Sequence, residues 1–300
     1  MFSLRKVFMK PAAVLLSAVM LVGGSFVSGS YDHTGAESNS ITYIKHYYNS
    51  TKADERYSID LVDIYTNVPC AVNDVFPSDP RPNAAPNTSM VYLEDWTPAS
   101  QGYINGGSAF IVDKHTIITA RHAVYSNGNF PTDLRMYIAK LNPASNDDLI
   151  SLTPTAIHVP ITPIGESDSN YDYAIVTVEE NLKSYGYFSL GLASQDAPSY
   201  NVPVHNLGFL FPTVTGTPPI LKKSYSHLNS WKDGFICTDN YIIGGTSGGP
   251  LYTECKINGE SFITAIGIAG AVNPSDPENR SIFVPINSNI LKFAFDNEYL

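Results

Sequence analysis

The chain has 300 residues, of which 43% are hydrophobic and 15% charged, with a formal net charge of −10. The length allows one large domain or two, and the apolar fraction supports a packed core. An acidic chain without a Lys/Arg cluster excludes nucleic-acid binding, which demands a basic surface; few charges and 19 tyrosines suit an extracellular all-β protein better than a cytosolic helical one.

In chain order, Arg5, Lys6 and Lys10 precede an apolar stretch from Pro11 to Val22, then Gly23-Gly24 and the small residues Ser28-Gly29-Ser30. This reads as a secretory signal over residues 1–30. The apolar stretch is shorter than the roughly 20 residues a spanning helix needs, so a secreted protein without stable membrane association is expected. A polar, Tyr-containing segment follows over 31–74, and then Pro77-Ser78-Asp79-Pro80-Arg81-Pro82-Asn83-Ala84-Ala85-Pro86-Asn87. Four prolines in eleven residues exclude a regular helix or a central strand there.

From Val91 onward, short apolar stretches alternate with turn residues. Strands are predicted at Val91–Leu93, Ser108–Val112, Thr116–Thr119, Leu134–Ile138 and Asp172–Val178. A second set is predicted at Pro203–Phe209, Ile220–Ser226, Gly234–Thr238, Pro250–Thr253, Phe262–Ile268 and Arg280–Pro285. Many short strands imply a sandwich or a barrel, and periodicity does not choose between them. At the end, Asn287 can cap a helix from Asn289 to about Asn297, with Ile290, Leu291, Ala294 and Phe295 on one apolar face.

Three pieces carry chemistry. Gly244-Gly245-Thr246-Ser247-Gly248-Gly249-Pro250 sets a serine in a glycine-rich turn, where backbone N–H groups can be aimed at one point. Ile117-Ile118-Thr119-Ala120-Arg121-His122-Ala123 puts a histidine just after an apolar strand, and Asp172-Tyr173-Ala174-Ile175-Val176 puts an aspartate at the start of another. Alone, each is an ordinary turn or strand end. Together they run His, Asp, Ser at spacings of 50 and 75 residues, which is one of the three known chain orders of a base, orienter and nucleophile. The other histidines, His33, His46, His115, His158, His205 and His227, lack this context and read as structural or exposed.

On these three blocks the chain resembles the trypsin/chymotrypsin superfamily of serine proteases, and more narrowly the secreted bacterial branch of the V8 protease and the glutamyl endopeptidases. The resemblance runs from about Val75 to the C-terminus and includes Leu207-Gly208-Phe209 and Ala265-Ile266-Gly267-Ile268-Ala269-Gly270. It implies two six-stranded antiparallel barrels with the site in the cleft between them and a C-terminal helix packed on the second barrel. It implies that Ser247 is the nucleophile, His122 the general base and Asp172 its orienter, and that the N–H groups of Gly245 and Ser247 form the oxyanion hole. Substrates would be proteins or peptides, the enzyme a monomer, and no metal or cofactor is required. Val75-Phe76-Pro77-Ser78-Asp79-Pro80-Arg81 looks like the mature N-terminus of the glutamyl endopeptidases, so residues 31–74 read as a propeptide or an N-terminal extension and 75–300 as the protease domain.

The sequence departs from its relatives at the specificity pocket. Where glutamyl endopeptidases carry a histidine in a Gly-Ile-His stretch, this chain has Ala269, and where they carry a threonine five residues before the serine it has Ile242. Where trypsin-like enzymes place an aspartate six residues before the serine, it has Tyr241. Tyr241, Ile242, Ala269 and Gly270 therefore suggest an apolar or small neutral pocket. Thr246 stands where trypsin-like zymogens carry the aspartate that pairs with a new N-terminus, so that activation switch is missing. Cys70 falls before the expected cut, and Cys237 and Cys255 after it. If strands 234–238 and 250–255 are neighbours, the last two can form a disulfide worth roughly 3 kcal/mol; two buried thiols are the alternative. A secreted endopeptidase is the reading these features support, against an esterase-like hydrolase, a catalytically silent binding homologue, or a protease with a narrow, toxin-like target range.

Overall fold

The computed structural model describes residues 40–48, 50–60, 89–97, 102–139, 149–162, 168–193, 201–210, 219–240, 242, 244–257, 260–272, 281–287, 289–291 and 293. The expected signal peptide, the cut near Val75, the proline-rich stretch, Tyr241, Cys70 and the end of the C-terminal helix lie outside the described residues.

The first set of strands is β1 (Ser40–Tyr47), β2 (Glu55–Asp60), β3 (Met90–Thr97), β4 (Gly102–Asp113), β5 (Thr116–Thr119), β6 (Asp133–Ala139), β7 (Leu149–Leu152), β8 (Pro154–Pro160) and β9 (Ala174–Val178). They form one sheet in the order β2-β1-β8-β9-β5-β4-β3-β6-β7. β7 and β8 flank Thr153; the one pairs with β6 and the other with β9. Taken as two halves of one bent strand, they close β3, β4, β5, β9 and β6 into a six-stranded ring. All four residues of β5 and all five of β9 are buried, so these two strands are covered on the outer face as well as on the barrel interior, where residues would otherwise alternate.

The second set is β10 (Ser189–Leu190), β11 (Pro203–Leu210), β12 (Ile220–Lys232), β13 (Phe235–Thr238), β14 (Pro250–Ile257), β15 (Glu260–Val272) and β16 (Ser281–Pro285). The order is β10-β15-β14-β11-β12-β13-β16, and an added β15–β16 pairing closes the last six strands into a barrel. This is the two-barrel architecture that the resemblance implied. β10, which pairs in parallel with β15, follows the first set and ties the chain to the second.

Three differences from the sequence expectations stand out. The segment 31–74 contributes β1 and β2 to the first sheet. β7 and β8 were not foreseen, because Pro154 and Pro160 bound β8 and prolines usually mark strand ends. The C-terminal turn begins as expected: Asn287 Oδ1 accepts from the N–H of Asn289 at 3.1 Å and of Ile290 at 3.0 Å. Its Phe293, however, packs on His158 of β8 and Tyr43 of β1, with ring centroids 4.9 and 5.6 Å apart. The turn therefore reaches the first sheet through Phe293, a contact the resemblance did not imply.

The expected Cys237–Cys255 disulfide fails on its geometric premise. β13 and β14 are separated by β11 and β12 on one side of the barrel and by β15 and β16 on the other. Cys237 is buried on β13 and is not in a disulfide.

Candidate active site

β5 and β9 are antiparallel, with Thr119 opposite Ala174, so the exit of β5 and the entrance of β9 lie at the same end. A 3₁₀ turn at Arg121–Ala123 follows β5 and carries His122, whose side chain is half exposed. Another, Asp168–Tyr171, precedes β9 and sets Asp172 beside it. Asp172 Oδ1 accepts from the His122 backbone N–H at 2.9 Å, and Oδ2 lies 2.7 Å from His122 Nδ1. A carboxylate at that distance accepts the hydrogen bond of Nδ1–H and leaves Nε2 as the acceptor, the tautomer a general base needs. Burial pulls the His122 pKa down, but the hydrogen bond and the charge of Asp172 outweigh it against a smaller opposing effect of Arg121, so the pKa sits above the ordinary histidine value.

The serine loop is gripped from both barrels. Gly245 and Gly248 have φ of 95° and 83°, which L side chains rarely adopt. Ser108 of β4, fully buried, donates its N–H to Ser247 O at 2.7 Å and its hydroxyl to Gly245 O at 2.8 Å. The same hydroxyl accepts from Phe209 N–H at 2.7 Å, and Ser108 O accepts from Thr119 Oγ1 at 2.8 Å. A Cβ on Gly248 would overlap Ser108 O and Thr119 Oγ1, and one on Gly208 would stand 2.6 Å from Thr246 Cβ. These glycines let the loop lie flat between β4, β5 and β11. On the far side, Gly248 N–H donates to Ala269 O at 2.7 Å and Ala269 N–H to Gly249 O at 2.8 Å.

Ser247 Oγ is half-buried and donates to Gly270 O at 3.3 Å. A Cβ on Gly270 would lie 3.9 Å from Asp172 Oδ2. Gly270 is thus the point where the serine and the His–Asp pair meet. A turn about the Ser247 Cα–Cβ bond redirects the hydroxyl, and such hydrogen bonds commonly tighten only with substrate present. The N–H groups of Gly248 and Gly249 are committed to Ala269 O and Thr246 O. Among the described residues those of Gly245 and Ser247 have no such backbone acceptor.

Of the expected pocket residues, Ile242 and Ala269 are 5% and 0% exposed and pack with Val204, Leu228, Leu251 and Phe283 in the second barrel's core cluster. Gly270 is partly exposed. Thr246, at 3% exposure, is seated against Gly208. Among the described residues, no three His, Cys, Asp or Glu side chains gather as a metal site requires. Sequence reasoning missed the roles of Ser108 and Thr119, whose sign was a hydroxyl beside apolar strand residues, and of Gly208, noted only as part of a strand resembling the family's.

The trypsin-like peptidase domain family matches residues 107–256, half of the chain. Among solved structures, a Glu endopeptidase in complex with MPD superposes with a TM-score of 0.55 at 16% identity, covering 70% of this chain and 90% of that one. That likeness is one of fold.

Proposed function

We propose that this chain, which belongs to the trypsin-like peptidase domain family, is a secreted serine endopeptidase that works through Ser247, His122 and Asp172. The observation that carries the reading is the double hydrogen bond from His122 to Asp172, at 2.9 and 2.7 Å, beside a glycine-framed serine. Ser247 is a weak nucleophile until His122 Nε2 takes its proton as the oxygen attacks the scissile carbonyl. Asp172 stabilises the imidazolium so formed. The oxyanion of the tetrahedral intermediate receives the Gly245 and Ser247 N–H groups, and each such donor typically contributes about 10²–10³ in rate. His122 then protonates the leaving amine, the acyl-enzyme remains, and water repeats the cycle in reverse order. No step calls for a metal or a cofactor.

Secretion rests on the pattern of residues 1–30, and the monomeric state on the resemblance. The P1 preference is read as apolar or small neutral, because Ile242, Ala269 and Gly270 offer no charge.

A fluorophosphonate probe tests the catalytic reading. Purified protein should be labelled at Ser247, and heat-denatured protein should not. A folded chain left unlabelled would be a silent homologue acting as a binding module.

A further inference from the structure

The hairpin β1–β2 lies inside the segment expected to be removed on maturation, yet it is built into the first sheet. β7 leaves β8 to pair with β6, so one edge of β8 would stand open, and an open edge recruits other strands. β1 fills that edge in antiparallel register, from Tyr43 opposite Pro160 to Tyr47 opposite Ala156. Backbone bonds continue at both ends, from Tyr48 N–H to Thr155 O and from Ile161 N–H to Thr42 O. Tyr43 is fully buried, stacked on Tyr57 at 5.5 Å and against Phe293 at 5.6 Å. Tyr57 in turn reaches buried His158 with its hydroxyl at 2.7 Å from Nδ1.

Two chains of contacts run from this hairpin to residues that flank the two members of the candidate catalytic pair. Tyr43 Oη and Tyr173 Oη are 2.8 Å apart and buried, and Tyr173 directly follows Asp172. On the other side, the His46 ring stacks on Phe130 at 4.4 Å and Tyr48 Oη donates to Pro131 O at 3.1 Å. Phe130 touches Tyr125 at 4.7 Å, and Tyr125 N–H donates to Arg121 O at 2.7 Å in the turn that carries His122.

We infer that residues 40–60 are a permanent bracing hairpin: the working enzyme keeps them on β8, still attached or as a fragment held without a covalent link after a cut in 61–88, and they hold His122 and Asp172 in register. The bracing half of this inference rests on the catalytic reading above. The surface is the β8 edge, and the partner that fits it is a Tyr-rich antiparallel strand of this same chain, a case of β-augmentation.

The test uses the full chain with a recognition site for a sequence-specific protease placed within 61–88. After the cut, the fragment bearing residues 40–60 should co-elute with the body in gel filtration, and native mass spectrometry should give their summed mass. The rate of fluorophosphonate labelling at Ser247 should match that of the uncut chain. A fragment that elutes apart from a body still labelling at the full rate would overturn the inference. Tyr43→Phe keeps the ring and removes only the hydroxyl pair; it should slow labelling about three- to tenfold, the usual worth of one buried hydrogen bond. It should also displace the midpoint of the labelling rate against pH. An unchanged rate and midpoint would refute the link through Tyr173. Retention is read by mass and so stands apart from catalysis, whereas a chain that labels neither cut nor uncut counts against the catalytic reading alone.

Discussion

The hydroxyl of Ser108 donates to the Gly245 carbonyl at 2.8 Å across 137 positions of sequence. It joins a strand of the first barrel to the loop that presents Ser247, the proposed nucleophile. Because the same oxygen accepts from Phe209 N–H, one atom sets the distance between β4, β11 and the loop. Gly245 O is the far end of the peptide next to the proposed oxyanion donors, so its anchoring fixes where those N–H groups aim.

Ser108→Ala should therefore act on rate more than on binding. It strands a buried Phe209 N–H and frees Gly245 O, costing about 1–3 kcal/mol of stability. Loosening the loop should lower kcat by up to about 10²-fold, the scale of a misplacement near 1 Å, with KM little changed. Peptide-reporter kinetics together with a thermal melt check this. A variant with full kcat and a lowered Tm would make Ser108 a stability residue only.

Ser247→Ala and His122→Ala should each abolish proteolysis while leaving the melt unchanged, since Ser247 is half-buried and His122 exposed. Asp172→Asn should lower kcat on the order of 10⁴, by loss of the correct tautomer. Casein or reporter cleavage near the parent rate in any of the three would remove that residue from the mechanism.

The acid limb of the rate profile should lie above the ordinary histidine range. His122 must be neutral to take the serine proton, and Asp172 holds its pKa up against the opposing pull of burial. Activity should then rise as pH climbs through that raised pKa, while the stabilisation from the protonated pair, present below the unfolded-state value, is lost over the same interval. In Asp172→Asn the residual activity should show the limb displaced to lower pH. A limb unmoved by that substitution would mean that another group titrates there.

His158 gives the opposite sign. It is 2% exposed, and burial, aided by the Lys45 charge, lowers its pKa from 6.5 to about 3. The unfolded chain binds a proton near 6.5 that the fold refuses until about 3, so stability should be full above that window and fall as pH drops through it. The slope is about 1.4 kcal/mol per pH unit for one proton. Urea titrations between pH 7 and 4 should show this slope, reduced by one proton in His158→Gln. Equal slopes in the two proteins would show that His158 is not the group responsible.

Much of the site was legible because its residues break local patterns. His122 and Asp172 are polar residues next to short, largely apolar strands, and Ser247 sits among glycines. The N-cap at Asn287 was readable for the same reason. What the sequence does not carry is adjacency. Cys237 and Cys255 are close in sequence yet stand on strands with two others between them in either direction around the barrel. β1 looked like a polar, disposable stretch, since the partner that buries Tyr43 is Tyr173, 130 positions away. The apolar face of the last helix was visible, but periodicity names a face and not the surface that receives it. Ser108 showed only a hydroxyl in an apolar strand, which gives no hint that two barrels are tied through it.

Specificity is where fold and sequence pull apart. The fold matches a Glu endopeptidase, whereas the residues at the expected pocket carry no charge. One basic candidate, Lys223, lies over the Tyr252 ring at 5.7 Å, and its charge, with that of Glu254, acts on His205. Tyr252 belongs to the first core cluster and its neighbour Leu251 to the second, with Ile242 and Ala269. Lys223, over Tyr252, is thus set against a residue of the first cluster and not of the second. A charged P1 side chain buried there without a partner would cost several kcal/mol, while each methylene against an apolar wall contributes about 1–3 kcal/mol. Suc-Ala-Ala-Pro-Phe or -Leu reporters should therefore be cleaved faster than the matching Glu, Lys or Arg ones. A Glu reporter cleaved tenfold faster than the best apolar one by the unaltered enzyme would place the selecting charge on a residue other than these.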